Sequence, residues 1–254
     1  MAFKVRYLRE DAIERDANDL LGEYGLARGV SITAPIPVEH LLEFHLGLSL
    51  DFDNLHDRLG IPLTGDEPDV LGALWVDRRQ VFVDQSLDPE DRPWLEGRYR
   101  YTLGHEVGHW QLHRDQLGVS AGQGWLFSPE PEPTIVCRKS QAKERIEWQA
   151  DHFASALLMP RTLVMAAWRD RFGDAKPRIV RRRRHPLQGT PGDTPDLDRL
   201  VARLTQNEDD ARLEQFARPL ADDFEVSAVA MRIRLEQLSL LHRQVPRQGR
   251  LIAS

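Results

Sequence analysis

Apolar residues recur at helical spacing near the start of the chain. Over residues 9–24, Ala12, Ile13, Leu20 and Leu21 fall on one face, which predicts an amphipathic helix. Glu10 or Asp11 is placed to cap its start, and Gly25 is the expected stop. Pro35 and Pro37 then break the chain before a short helix over Val38–Phe44. Alternation predicts a strand at Leu48–Phe52. It also predicts a hairpin, with strands Leu74–Val76 and Val81–Val83 joined by Asp77, Arg78 and Arg79. A long helix is expected from about Trp94 to His113. Residues 115–135 are rich in Gly, Pro and Ser without periodicity, and read as a loop. Residues 140–158 form a strongly amphipathic helix, with Ile146, Ala150, Phe153, Ala154, Leu157 and Leu158 on one side. Pro160 ends it and opens the next helix. Two more helices are expected near 197–221 and 227–241, with Ser227 as the N-cap of the second.

Helices mixed with a few short strands predict an α+β fold. The expected organisation is a main domain over 1–173, a basic Pro-rich linker or insertion over 174–196, and a helical region over 197–254. The chain of 254 residues suits one large domain with a small appendage. A net charge of -6 argues against a general nucleic-acid coat, which needs a broad basic surface. No apolar run approaches the roughly 18 residues of a membrane span. The first residues turn acidic where a secretion signal is apolar, so the expected location is the cytoplasm, with no membrane partner. The single cysteine, Cys137, excludes an internal disulfide and any multi-cysteine zinc site. A metal here has to be held by histidine and carboxylate.

The segment His105-Glu106-Val107-Gly108-His109 supplies such ligands. On a helix, residues four apart lie one turn above each other, so both imidazoles can face one ion. Imidazole nitrogen suits zinc, and Glu106 projects beside the pair as a base for water. A catalytic zinc site needs a third protein ligand and an open fourth position. A third histidine six residues after His109 is ruled out, because that position is Asp115. A glutamate on a later helix, with an acid four residues on, is available as Glu147 and Asp151. Glu147 then binds the metal, and Asp151 accepts a hydrogen bond from the distal nitrogen of one histidine. Glu144, one turn earlier, is the competing ligand. The small residues Ala150 and Ala154 let the two helices approach closely.

Four segments together resemble the ImmA/IrrE family of metallo-endopeptidases: LGALWVDRRQVFVDQSL, RYRYTLGHEVGHWQLH, EWQADHFASALLMP and FEVSAVAMRIRLEQLSLL. The resemblance covers most of residues 9–241. It implies a zincin-like α+β metallopeptidase domain with a small mixed sheet, an active-site helix and a C-terminal helix-turn-helix-like appendage. It implies His105, His109 and Glu147 as ligands of zinc, with manganese as the alternative metal, and Glu106 as general base. It also implies a substrate class, helix-turn-helix transcriptional repressors cut at one site in stress-response or mobile-element pathways.

Further expectations attach to single residues. Tyr99, Tyr101, His113 and His152 are the candidates to assist at the oxyanion, with His113 read chiefly as a helix-end cap. The strand Gln80–Asp84 is the expected sheet edge for an extended substrate. Trp110 and Trp148, each next to a proposed ligand, are expected to pack around the site. Cys137 reads as a free thiol, with inhibitory metal ligation as the alternative. The run Arg181–Arg184 with His185 reads as a solvated insertion, or as a contact for DNA or an acidic surface. Arg232, Arg234 and Arg243 add positive charge to the C-terminal helices. The rival function is therefore a DNA- or protein-binding regulator on a peptidase scaffold.

Overall fold

The computed structural model describes residues 5–63, 69–121, 133–138, 144–180 and 195–243. The chain forms two compact units, one of residues 1–164 with 223–227, the other of 165–222 with 228–254.

The first unit opens with helix α1, Glu10–Arg28, which buries Ile13, Ala17, Leu20 and Leu21. It runs four residues past the expected stop. Gly29, not Gly25, takes the left-handed conformation, with φ of 64°, that closes the last turn. Gly25 stays helical and buried, and a Cβ there would stand 3.0 Å from the Val30 carbonyl oxygen. Neither Glu10 nor Asp11 caps the helix. Both lie inside its first turn, where the exposed N–H groups favour negative charge. A short helix α2, Val38–His40, continues into a wider turn at Leu41–His45.

Strand β1, Ser49–Asp53, is followed by helix α3, Leu55–Leu59. The expected hairpin is formed by β2, Val70–Trp75, and β3, Gln80–Asp84. Arg79 turns the corner with φ of 53°. A fourth strand, β4, Ile135–Arg138, pairs with β2. The sheet order is β1-β3-β2-β4, with β1 parallel to β3 and the other pairs antiparallel. This overturns the expectation that Gln80–Asp84 is an edge. Both of its sides are paired, and among the described residues the edges are β1 and β4. Leu55, Val70, Ala73, Trp75 and Phe82 form one hydrophobic cluster of this unit.

Helix α4, Glu96–Ala121, is longer than its periodicity suggests, so the described part of the expected loop at 115–135 is helix at one end and strand at the other. It packs along helix α5, Arg145–Leu158, which in turn packs on α1. Their contact is built from small residues. A Cβ on Gly104 would lie 3.3 Å from Ala154 Cβ, and one on Gly108 would lie 3.0 Å from the Ala150 carbonyl oxygen. Helix α6, Arg161–Phe172, follows directly after Pro160.

The second unit holds strand β5, Arg178–Val180, inside the segment expected as a linker, paired in parallel with β6, Leu241–Arg243. Helices α7, Pro195–Phe224, and α8, Ala228–Gln237, are the expected C-terminal pair. Trp168, Phe172 and Phe216 stack together in this unit, with Phe172 and Phe216 nearly coplanar at 5.5 Å. The run Arg181–Arg184 with His185 lies outside the described residues, as does the side chain of Cys137.

Candidate metal centre

The middle of α4 carries His105, Glu106 and His109, all buried. The glycine–alanine contact draws the α5 backbone in, and this brings Glu147 opposite the two imidazoles. Glu147 sits in the first turn of α5, where the helix N-terminus favours its negative charge. His105, His109 and Glu147 offer donor atoms within 4.8 Å of one another, a group that can hold a metal ion. The separations are 2.9 Å between the two histidine Nε2 atoms, 3.1 Å from His105 Nε2 to Glu147 Oε2, and 3.5 Å from His109 Nε2 to Glu147 Oε1. Ligands about 2.1 Å from a tetrahedral zinc ion stand about 3.4 Å apart, so these spacings fit such an ion. Glu144 is not in the group. It occupies the N-cap position of α5 without a side-chain capping hydrogen bond, and is exposed.

Glu106 faces a different environment. Both carboxylate oxygens are buried without a hydrogen-bond partner. Burial pushes its pKa up to about 8, against the pull of His105. Burial acts the same way on Glu147, but the neighbouring His105 and His109 overcome it and hold that carboxyl down at about 2. Burial and the neighbouring His105 push His109 down to about 4, so it is neutral, as a metal ligand has to be. Glu106 lies close beneath β2 at Gly72. A Cβ there would stand 2.4 Å from Glu106 Oε1 and 3.0 Å from Thr102 Cγ2.

Asp151 Oδ1 lies 2.9 Å from His105 Nδ1. The Tyr101 hydroxyl donates to the Asp151 carbonyl oxygen at 3.0 Å, tying α4 to α5. Tyr99 is buried against Phe52, with ring centroids 5.5 Å apart. Burial and the neighbouring Glu39 raise its pKa. His152 stacks on Trp148 at 5.6 Å and is not one of the donors. Trp148 stacks in turn on Tyr7, while Trp110 receives the guanidinium of Arg79 at 5.0 Å.

His113 is not a helix-end cap. The helix continues past it, and its fully buried ring lies 3.2 Å from His109 and 2.8 Å from Gln149 Oε1. Gln149 was not singled out from the sequence. The available signal was a buried amide between Glu147 and Asp151 on the apolar side of an amphipathic helix, where a polar side chain needs a partner.

A helix with two converging histidines, a glutamate from a second helix and a small mixed sheet laid on the first are the arrangement of a zincin-like α+β domain. Residues 66–187 match the family of the IrrE N-terminal-like domain, Peptidase_M78, in agreement with the resemblance in the sequence. None of the curated proteins matches the chain. Among solved structures, a Mycobacterium tuberculosis transcriptional regulator aligns with 89% of this chain at 14% identity and a TM-score of 0.39. The chain spans 46% of that protein's length.

Proposed function

We propose that the protein is a zinc-dependent endopeptidase that cuts a helix-turn-helix transcriptional repressor at one site. Such a cut would release stress-response or mobile-element genes inside the cytoplasm. The observation that carries this reading is the partnerless, buried carboxylate of Glu106 beside three converging donors. Burying a carboxylate without partners is costly, and the arrangement makes sense where a water and a substrate complete it.

In this reading His105, His109 and Glu147 hold the metal. When bound, the metal supplies Lewis acidity that activates water and polarises a carbonyl group. Glu106 accepts the proton of the attacking water and delivers it to the leaving amine nitrogen as the peptide bond breaks. An extended substrate segment would pair with β4, the sheet edge next to the strand that carries Gly72. Manganese is the alternative metal.

The rival reading, a DNA-binding regulator, loses support from the arginines that suggested it. Arg232 and Arg234 are buried, and Arg232 and Arg243 are engaged by Asp210 and Glu236. Among the described residues no helix is long and apolar enough to cross a membrane. The test is the purified, zinc-loaded chain mixed with a repressor encoded beside its gene. Cleavage by the native chain and none by Glu106→Gln is the expected result. Unchanged cleavage by the variant would remove Glu106 as the base.

A further inference from the structure

A line of hydrogen bonds runs from the metal centre to the N-terminal segment, and its direction can be worked out. At the far end, the Gln149 amide nitrogen donates to the Arg6 carbonyl oxygen at 2.9 Å. A carbonyl oxygen only accepts, so this contact sets which way the amide faces. Gln149 therefore presents Oε1 to His113 Nε2, at 2.8 Å. An amide oxygen also only accepts, so His113 carries its proton on Nε2. A neutral imidazole has one N–H, which leaves His113 Nδ1 as an acceptor. His109 Nδ1 stands 3.2 Å from that acceptor and has to donate to it. The lone pair of His109 is then on Nε2, the atom facing His105 and Glu147.

The N-terminal segment is held for this task on both sides of Arg6. The Arg6 N–H donates to Gln116 Oε1 at 3.1 Å, and Arg145 donates to the Val5 carbonyl oxygen at 3.4 Å. Val5 is buried, and Tyr7 stacks on Trp148. His113 and Gln149 are themselves fully buried. Two polar side chains kept inside a core need a reason beyond packing, and here each has both of its polar ends satisfied along one directed line.

We propose that His113 and Gln149 are positioning residues that lock His109 in its Nδ1–H tautomer, anchored by the Arg6 backbone. This rests on the reading of His109 as a metal ligand. It assigns to His109 an outer support separate from the carboxylate that Asp151 offers His105.

The test is zinc affinity of the full chain, measured by competition with a chromophoric chelator, together with nitrogen NMR of its histidines. His113→Leu and Gln149→Met should each weaken zinc binding by about tenfold to a hundredfold, the usual cost of losing an outer partner of a metal ligand. His113→Gln should restore most of it, because its amide can accept from His109 and donate to Gln149. In the native chain, His113 should carry its proton on Nε2. Native-like zinc affinity in both His113→Leu and Gln149→Met would overturn the proposal. So would failure of His113→Gln to improve on His113→Leu, or an Nδ1–H form of His113 in the native chain. The NMR reading needs no variant to fold. A native chain that takes up no zinc would instead remove the metal-centre reading itself.

Discussion

Among the described residues, two dense clusters of charged side chains, one in each unit, are built on opposite plans. In the second unit Arg232 meets Asp210, Glu214 and Glu236 at 4.0, 3.4 and 3.0 Å, and Arg243 meets Asp210 and Glu236 at 2.6 and 2.8 Å. Each charge there is answered by its opposite. At the metal centre two histidines and a glutamate turn their lone pairs toward one another, and Glu106 has no partner for either oxygen. Density of charge is common to both. What separates the two is charge pairing: Arg232 and Arg243 each lie against carboxylates, while the Glu106 carboxylate is buried with no hydrogen-bond partner.

Several substitutions would break or sharpen that contrast. The largest effect is expected from His109→Ala or from stripping the native chain with a chelator. Both should abolish cleavage, and the variant should retain no bound zinc by elemental analysis. Next is Glu106→Gln, which should slow cleavage by about 10²- to 10⁴-fold while zinc content stays native. Gly72→Ala comes third. Its Cβ takes space now used by Glu106, so cleavage should drop by about 10²-fold with zinc affinity preserved. Retained activity in this variant would mean that the position of Glu106 beneath β2 is not needed.

The charge-paired cluster should respond in the opposite way. Arg232→Ala leaves carboxylates facing one another and should lower stability by about 3 kcal/mol in urea unfolding, with zinc content unchanged. The smallest effect is expected for Arg243→Ala, whose side chain is 40% exposed, at about 1 kcal/mol or less. Neither arginine variant should alter DNA affinity in an anisotropy titration at low salt. A clear loss there would revive the regulator reading and erase the contrast.

Much of the site was legible before the fold was known. The pairs His105–His109 and Glu147–Asp151 share a four-residue spacing, and the small residues Ala150 and Ala154 pointed to a close helix contact. Those signals repeat within one element, where helical geometry alone sets which residues share a face. Other features ran against local signals. Gly118, Val119 and Ser120 are poor helix formers, yet α4 runs through them to Ala121, since extending an existing helix adds a bond per residue without a new nucleus. Gly25 looked like a helix stop, but only Gly29 occupies the position that takes the left-handed turn.

The amino-acid pattern by itself determined the helices that carry the donors, the hairpin, and a chemistry restricted to histidine and carboxylate. Tertiary structure alone decided that β1 lies beside β3 and makes Gln80–Asp84 an inner strand. It alone set Gly72 against Glu106, and joined His109 through His113 and Gln149 to the backbone of Arg6. The reason is physical. Periodicity records how a segment divides between core and solvent, which is a property of that segment. Strand order, close backbone approach and the direction of a buried hydrogen-bond line depend on residues far apart in the chain, and come into being only when those segments meet.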